Sequence, residues 1–129
     1  MSAAAKALIV DESGRILVLY RSETHPTLAH DIDLPGGVIE SHESMELGLA
    51  REIHEETGLV VDTNAFDLRH SWLTQSGQEQ AVYQVTLSSD SEVKISWEHE
   101  AHDWISVEEM IDYPAIDGFM HQVQAWLRA

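Results

Sequence analysis

Glu52, Glu55 and Glu56 fall within five residues of one another, in a stretch whose apolar spacing predicts a helix. At about 100° per residue, positions i, i+3 and i+4 share a face, so the three carboxylates point the same way. Two carboxylates about 4 Å apart repel by roughly 4 kcal/mol at an effective dielectric near 20. A helix gains nothing structurally from such crowding. A hard divalent cation with oxygen ligands turns the repulsion into binding, and that is the chemistry the cluster points to. Just upstream, Leu34-Pro35-Gly36-Gly37 pairs two glycines after a proline. Such a bend brings carbonyls or amides close to a ligand, which makes Gly36 and Gly37 candidate contacts. Glu43 and Arg51 form the remaining charged pair, and bidentate Arg–carboxylate geometry would tie the loop to the helix.

The helix that must position these groups has a matching second face. Met45, Leu49, Ala50 and Ile53 form one apolar stripe suited to packing against a sheet. Ser44 or Ser41 caps its start, and Gly58 after Thr57 is a left-handed stop, so the helix runs about Ser44 to Thr57. Gly48 costs about 1 kcal/mol against alanine inside a helix, and its expected use is room beside the carboxylates.

The spacing Gly37-x5-Glu43-x7-Arg51-Glu52-Ile53-x-Glu55-Glu56-x-Gly58-Leu59 resembles the Nudix box at every defining position. Seven fixed letters would recur by chance about once in 10^8 starts. The resemblance implies hydrolysis of a nucleoside diphosphate linked to another moiety X, with Mg2+ as cofactor and Mn2+ as a substitute. It implies Glu52 and Glu56 as metal ligands, with Glu55 as a ligand or the holder of a water and the Gly36 carbonyl completing the shell. Further on, Glu98-His99-x4-Trp104-Ile105 resembles a second family feature, in which an acid from outside the box approaches the metals. Glu98 is the candidate, with Glu100 behind it. The general base is left between Glu98 and Glu55, and Glu43 with Arg51 is architectural. Arg21 stands where family members often carry a basic residue that touches a substrate phosphate. Read by itself, it is a surface cation balancing Glu23. Ile32 occupies a position where the family often has tryptophan, so no stacking platform is expected there.

The partner the resemblance implies is a small nucleotide-type diphosphate, chosen by the loop Ser22 to Asp33 and by residues near Trp72 and Tyr83. Tyr83 is a substrate-contact candidate on that ground. The family also implies a homodimer as one state. A second reading is a Nudix-fold binder of a nucleotide-linked metabolite without hydrolysis, but such binders typically lose box glutamates and this chain keeps them all.

The rest of the chain sets bounds. Its 129 residues suit a single domain, and 43% apolar content is ordinary for a globular protein. The formal charge of −16 disfavours nucleic-acid polymers and anionic membranes as partners. With no cysteine there is no disulfide framework or thiolate metal site, and a cytoplasmic location fits. His25, His30 and Asp31 lack zinc-site spacing.

Ala4 to Asp11 and Arg15 to Tyr20 flank Glu12-Ser13-Gly14 as a hairpin. Ser22 to Asp33 reads as a loop. Strands are expected at Leu59 to Val61, at Phe66 to Leu73, and at Gln80 to Leu87 with one buried face. Ser106 caps a short helix to Asp112, and Pro114 precedes a last helix from Ile116 to Leu127 that buries Ile116, Phe119, Met120, Val123 and Leu127. Trp104 is expected in the core. The expected fold is α+β: an α/β/α sandwich of the Nudix type, with a mixed sheet between the box helix and a C-terminal helix.

Overall fold

The computed structural model describes residues 3–129. Strands β1 (Ala3–Val10) and β2 (Ile16–Arg21) leave a tight turn around Gly14. They pair only at Val10 with Ile16 and then diverge like a fork. β1 instead runs parallel to β6 (Glu79–Thr86), from Ala4 opposite Gln80 to Val10 opposite Thr86. β6 pairs antiparallel with β5 (Asp67–Leu73), and β2 pairs antiparallel with β7 (His99–Ile105). The opening of the fork is filled by β3 (Ile32–Asp33), which pairs with β2, and β4 (Gly36–Ile39), which pairs with β1. One short segment thus stitches two strand groups into a mixed sheet.

Helix α1 (Met45–Thr57) covers one face of the sheet, capped by Ser44 Oγ on the Leu47 N–H and closed by Gly58 at φ 74°. Leu49 and Ile53 are fully buried against Ala5, Ala7 and Ile9. On the other face, α2 (Val107–Asp112) and α3 (Gly118–Arg128) bury Met110, Phe119, Met120 and Val123 against Leu8, Ile16 and Val18. The result is the α/β/α sandwich. No described helix is long and apolar enough to cross a membrane.

Four expectations are corrected. Among the described residues, Leu59 to Val61 finds no partner strand. Its side chains alternate into the core beneath α1, with Val60 exposed, before a 3-10 turn at Thr63–Ala65. β6 is buried on both faces at Ala81, Val82 and Tyr83, because it lies between β1 and β5 with helices above and below. The loop after Arg21 ends in strand at Ile32. The last helix begins at Gly118, because the backbone N–H groups of Ile116 and Asp117 donate to the Asp31 carboxylate and Asp117 then caps the helix. Ile116 is left 69% exposed.

Gly36 is where the stitching is tightest. Its φ is +138°, and a Cβ there would lie 2.2 Å from the Ala5 carbonyl oxygen and 2.6 Å from Lys6 Cα, both backbone atoms that cannot step aside. Gly36→Ala is expected to cost about 3 kcal/mol or more, read by thermal denaturation. Parent-like stability would contradict this close approach.

Candidate active site

The end of α1, the start of β4 and the residue before β7 converge on a cavity of about 330 Å³. Glu52, Glu55 and Glu56 enter it from α1, Glu98 from the loop before β7, and Gly36 and Gly37 from β4. Glu56 is the most enclosed, only 4% exposed, and its Oε1 accepts the Gly36 N–H at 2.8 Å. Burial pushes its pKa up to about 9; the Gly36 N–H and Lys6 offset this only in part, and Asp33 and Glu52 add to it. Glu52 is also raised, by burial first, with Glu55 and Glu98 repelling it and Arg51 pulling the other way. The room beside Glu52 comes from Gly37, where a Cβ would sit 2.9 Å from Glu52 Oε2. Gly48 does not serve that purpose: its missing Cβ clears Ile39 at 2.8 Å and Glu43 at 3.1 Å.

Arg51 holds the outer edge. Its Nε and Nη2 donate to the two oxygens of Glu43 at 2.7 and 2.9 Å, Nη1 reaches Glu52 and Glu55 at 3.2 Å each, and Nη2 also reaches the Val38 carbonyl. The guanidinium pulls Glu43 down to about 2. One side chain therefore ties the loop, β4 and two of the cavity carboxylates together.

The opposite wall carries basic groups that sequence reasoning missed or misplaced. Arg21 is not a surface cation; it is 5% exposed, with Nε 3.3 Å from Asp33 Oδ2 and Nη2 3.6 Å from Asp117, while Glu23 faces His30 instead. Asp33 also receives Lys6 and His99 Nε2. Burial opposes its ionisation, yet Lys6, His99 and Arg21 hold its pKa well below the usual carboxylate range. His25 stands between this cluster and Glu98, its Nε2 3.6 Å from Glu98 Oε2. The Ser22 N–H donates to the Glu98 carbonyl at 2.9 Å, and the Ser22 hydroxyl donates to that of Trp97 at 2.7 Å, so the loop after β2 anchors the segment that carries Glu98.

His25, Asp33 and His99 bring ligand-type atoms within 4.8 Å of one another, but Lys6 and Arg21 already supply the positive charge that Asp33 answers. His30 and Asp31 lie elsewhere, on Glu100 and on the start of α3. Lys6 was visible in the sequence as the one charge inside an apolar run, and His99 as the neighbour of Glu98.

Tyr83 does not reach the cavity. It is 6% exposed beneath α1, its hydroxyl donates to Glu46 at 3.0 Å, and its ring meets Phe66 edge-on. Odd-numbered residues of β6 face α1, which turns Tyr83 away from the site.

The family model described as NUDIX domain matches residues 2–127. The chain belongs to the NUDIX family. It is 38% identical over 63 residues to a MutT-like protein of Streptomyces ambofaciens, a match covering 49% of this chain and 38% of that protein. This chain therefore spans well under half the length of that relative. It is 26% identical over 116 residues to the nucleoside triphosphatase NudI of Escherichia coli, covering 81% of this chain and 82% of the relative. The crystal structure of a MutT protein from Methanosarcina mazei superposes with a TM-score of 0.78 at 28% identity, over 98% of this chain and 92% of that one. Divalent cations are general in the family. The site fits one: Glu52, Glu55, Glu56 and Glu98 line a single cavity together with Asp33, and burial holds the deepest, Glu56, back from ionisation.

Two outcomes follow for variants of this Nudix-family protein. Because the folded-state pKa of Glu56 lies above the ordinary carboxyl value, its contribution to stability is complete below about pH 4.5 and is lost as pH rises towards 9. In chelator, Glu56→Gln should therefore melt roughly 4 °C or more above the parent at pH 8 and show no such advantage near pH 4. An equal difference at both values would contradict the burial argument. Arg51→Ala should lose about 1 kcal/mol of stability together with activity, measured by denaturant unfolding and turnover; unchanged stability would remove its tethering role.

Proposed function

We propose that this protein hydrolyses a diphosphate linkage in a nucleoside diphosphate derivative or nucleoside triphosphate, with Mg2+ as its ion and Mn2+ as a substitute. The observation that carries this reading is the gathering of Glu52, Glu55, Glu56 and Glu98 around the Gly36–Gly37 bend. Such a set of oxygen donors suits a small hard cation that shares its remaining positions with substrate phosphates. When bound, the ion supplies positive charge against phosphate oxygens and lowers the pKa of the water it holds.

The chain's own residues do the rest. Glu52 and Glu56 would hold the ion, with Glu56 fixed through the Gly36 N–H. Glu98 takes the proton from the attacking water as the new P–O bond forms and the bridging P–O bond breaks. Glu98 is favoured over Glu55 because Arg51 donates to both oxygens of Glu55, whereas the side-chain partner of Glu98 is His25 at 3.6 Å.

A second cavity, of about 440 Å³, supports a nucleoside next to the phosphates. Trp72 and Phe119 form an aromatic corner there with ring centroids 4.9 Å apart, and Gln80, which accepts from Trp72 Nε1, and Gln122 add amides. The Escherichia coli relative, named a nucleoside triphosphatase, supports the same substrate class.

The test is a product assay with Mg2+ over a panel of nucleoside triphosphates and nucleotide sugars, run in 18O-labelled water to find the attacked phosphorus. Glu56→Gln should keep its fold by circular dichroism and lose roughly 100-fold or more in turnover. Near-parent turnover in that variant would overturn the assignment of Glu56.

A further inference from the structure

Lys6 is a charge in the middle of a core strand, and burying it is costly unless something answers it. It shares the α3-facing side of β1 with Leu8 and Val10, and its side chain is only 12% exposed. The Asp33 carboxylate is its described hydrogen-bond partner. Burial pulls the ammonium pKa down, but Asp33, with Glu56 and Asp117 adding to it, outweighs burial and keeps it above the usual lysine value. An ammonium has three N–H donors, so Asp33 leaves part of that capacity unmet in the cavity wall. Asp33 has little more to offer, since its Oδ1 also takes the Leu34 N–H and its Oδ2 takes Arg21 and His99.

Arg21, the cation that the family resemblance singles out, is differently placed. Its Nε faces Asp33, Nη1 donates to the Thr27 carbonyl at 3.4 Å, and Nη2 faces Asp117. It braces the end of β2 against the following loop and the cap of α3.

Lys6 also marks a junction. Lys6 lines the carboxylate cavity, and its Nζ lies 5.7 Å from the centroid of the Phe119 ring, which lines the second cavity with Trp72. A substrate reaching from the carboxylates to the aromatic corner passes this ammonium.

We propose that Lys6, rather than Arg21, is the cation that binds the phosphoryl group nearest the nucleoside, at the junction of the two cavities. The proposal rests on the nucleotide reading given above. Lys6 touches substrate but no reacting bond, so it acts on binding and on the choice of phosphorylated over unphosphorylated nucleoside. One ammonium–phosphate contact that persists from ground state to transition state changes KM more than kcat.

The experiment compares the monophosphates of adenosine, guanosine, cytidine and uridine with the matching nucleosides, by calorimetry in chelator, on the full chain. For the base that binds, Lys6→Met should weaken the monophosphate about tenfold or more and leave the nucleoside unchanged, with Lys6→Arg restoring most of the loss. With substrate and Mg2+, the same variant should raise KM by a similar factor while kcat moves little. Equal loss for nucleoside and monophosphate would mark Lys6 as merely structural and overturn the proposal.

If Lys6→Met does not fold, reductive methylation of the parent reads the same contact. Monophosphate should slow modification of Lys6 relative to the exposed Lys94, the second lysine of the chain, and nucleoside should not. A parent that binds monophosphate without protecting Lys6 overturns the proposal alone. A parent that binds and hydrolyses no nucleotide overturns the nucleotide reading as well.

Discussion

Like charges do not gather in a cavity unless the chain holds them there, and this fold spends much of its tightest geometry on doing so. Glu56 sits where water is scarce, with one backbone N–H as its neutral partner and a pKa pushed up to about 9. That N–H belongs to Gly36, whose lack of a side chain lets β4 lie directly on β1. Arg51 restrains Glu52 and Glu55 from outside while gripping Glu43. Each restraint makes mutual repulsion tolerable without cancelling it, and the residual repulsion is what a divalent cation would relieve.

The divergence of β1 and β2 is the architectural counterpart. Two strands that stayed paired would leave no opening at the end of the sheet. Because they part after Val10 and Ile16, the segment from Ile32 to Ile39 can bond to each in turn and deliver Asp33 to one wall and the glycine bend to the other. Asp33 then collects Lys6, Arg21 and His99, so the site has an acidic end and a basic wall a few ångströms apart. A phosphate chain carrying its own cation needs both kinds of surface.

Much of the helical part was readable because its determinants are local. The three box carboxylates, the Ser44 cap, the Gly58 stop and the Ser106 cap each depend on residues within one or two turns. The α/β/α layering followed from the family resemblance and from apolar periodicity. What escaped depends on distant partners. Pro35-Gly36-Gly37 carries a turn signal, and only pairing with β1, some thirty residues earlier, makes Gly36–Ile39 a strand. Leu59 and Val61 have strand-like alternation, but among the described residues no strand pairs with them. Tyr83 looked available because composition does not say which way a central strand faces. The basic wall draws on residues 6, 21, 33 and 99, a constellation without any sequence period. Its trace was a lone lysine among alanines and leucines.

The most direct measurement is Mn2+ binding to the chelator-stripped protein, followed by electron paramagnetic resonance with and without a nucleotide. Uptake is expected at about millimolar concentration or below, tightened by nucleotide and weakened at least about tenfold in Glu52→Gln. If the parent takes up no Mn2+ in either condition, or if Glu52→Gln binds it as well as the parent does, the crowded carboxylates have some other purpose and the account is wrong.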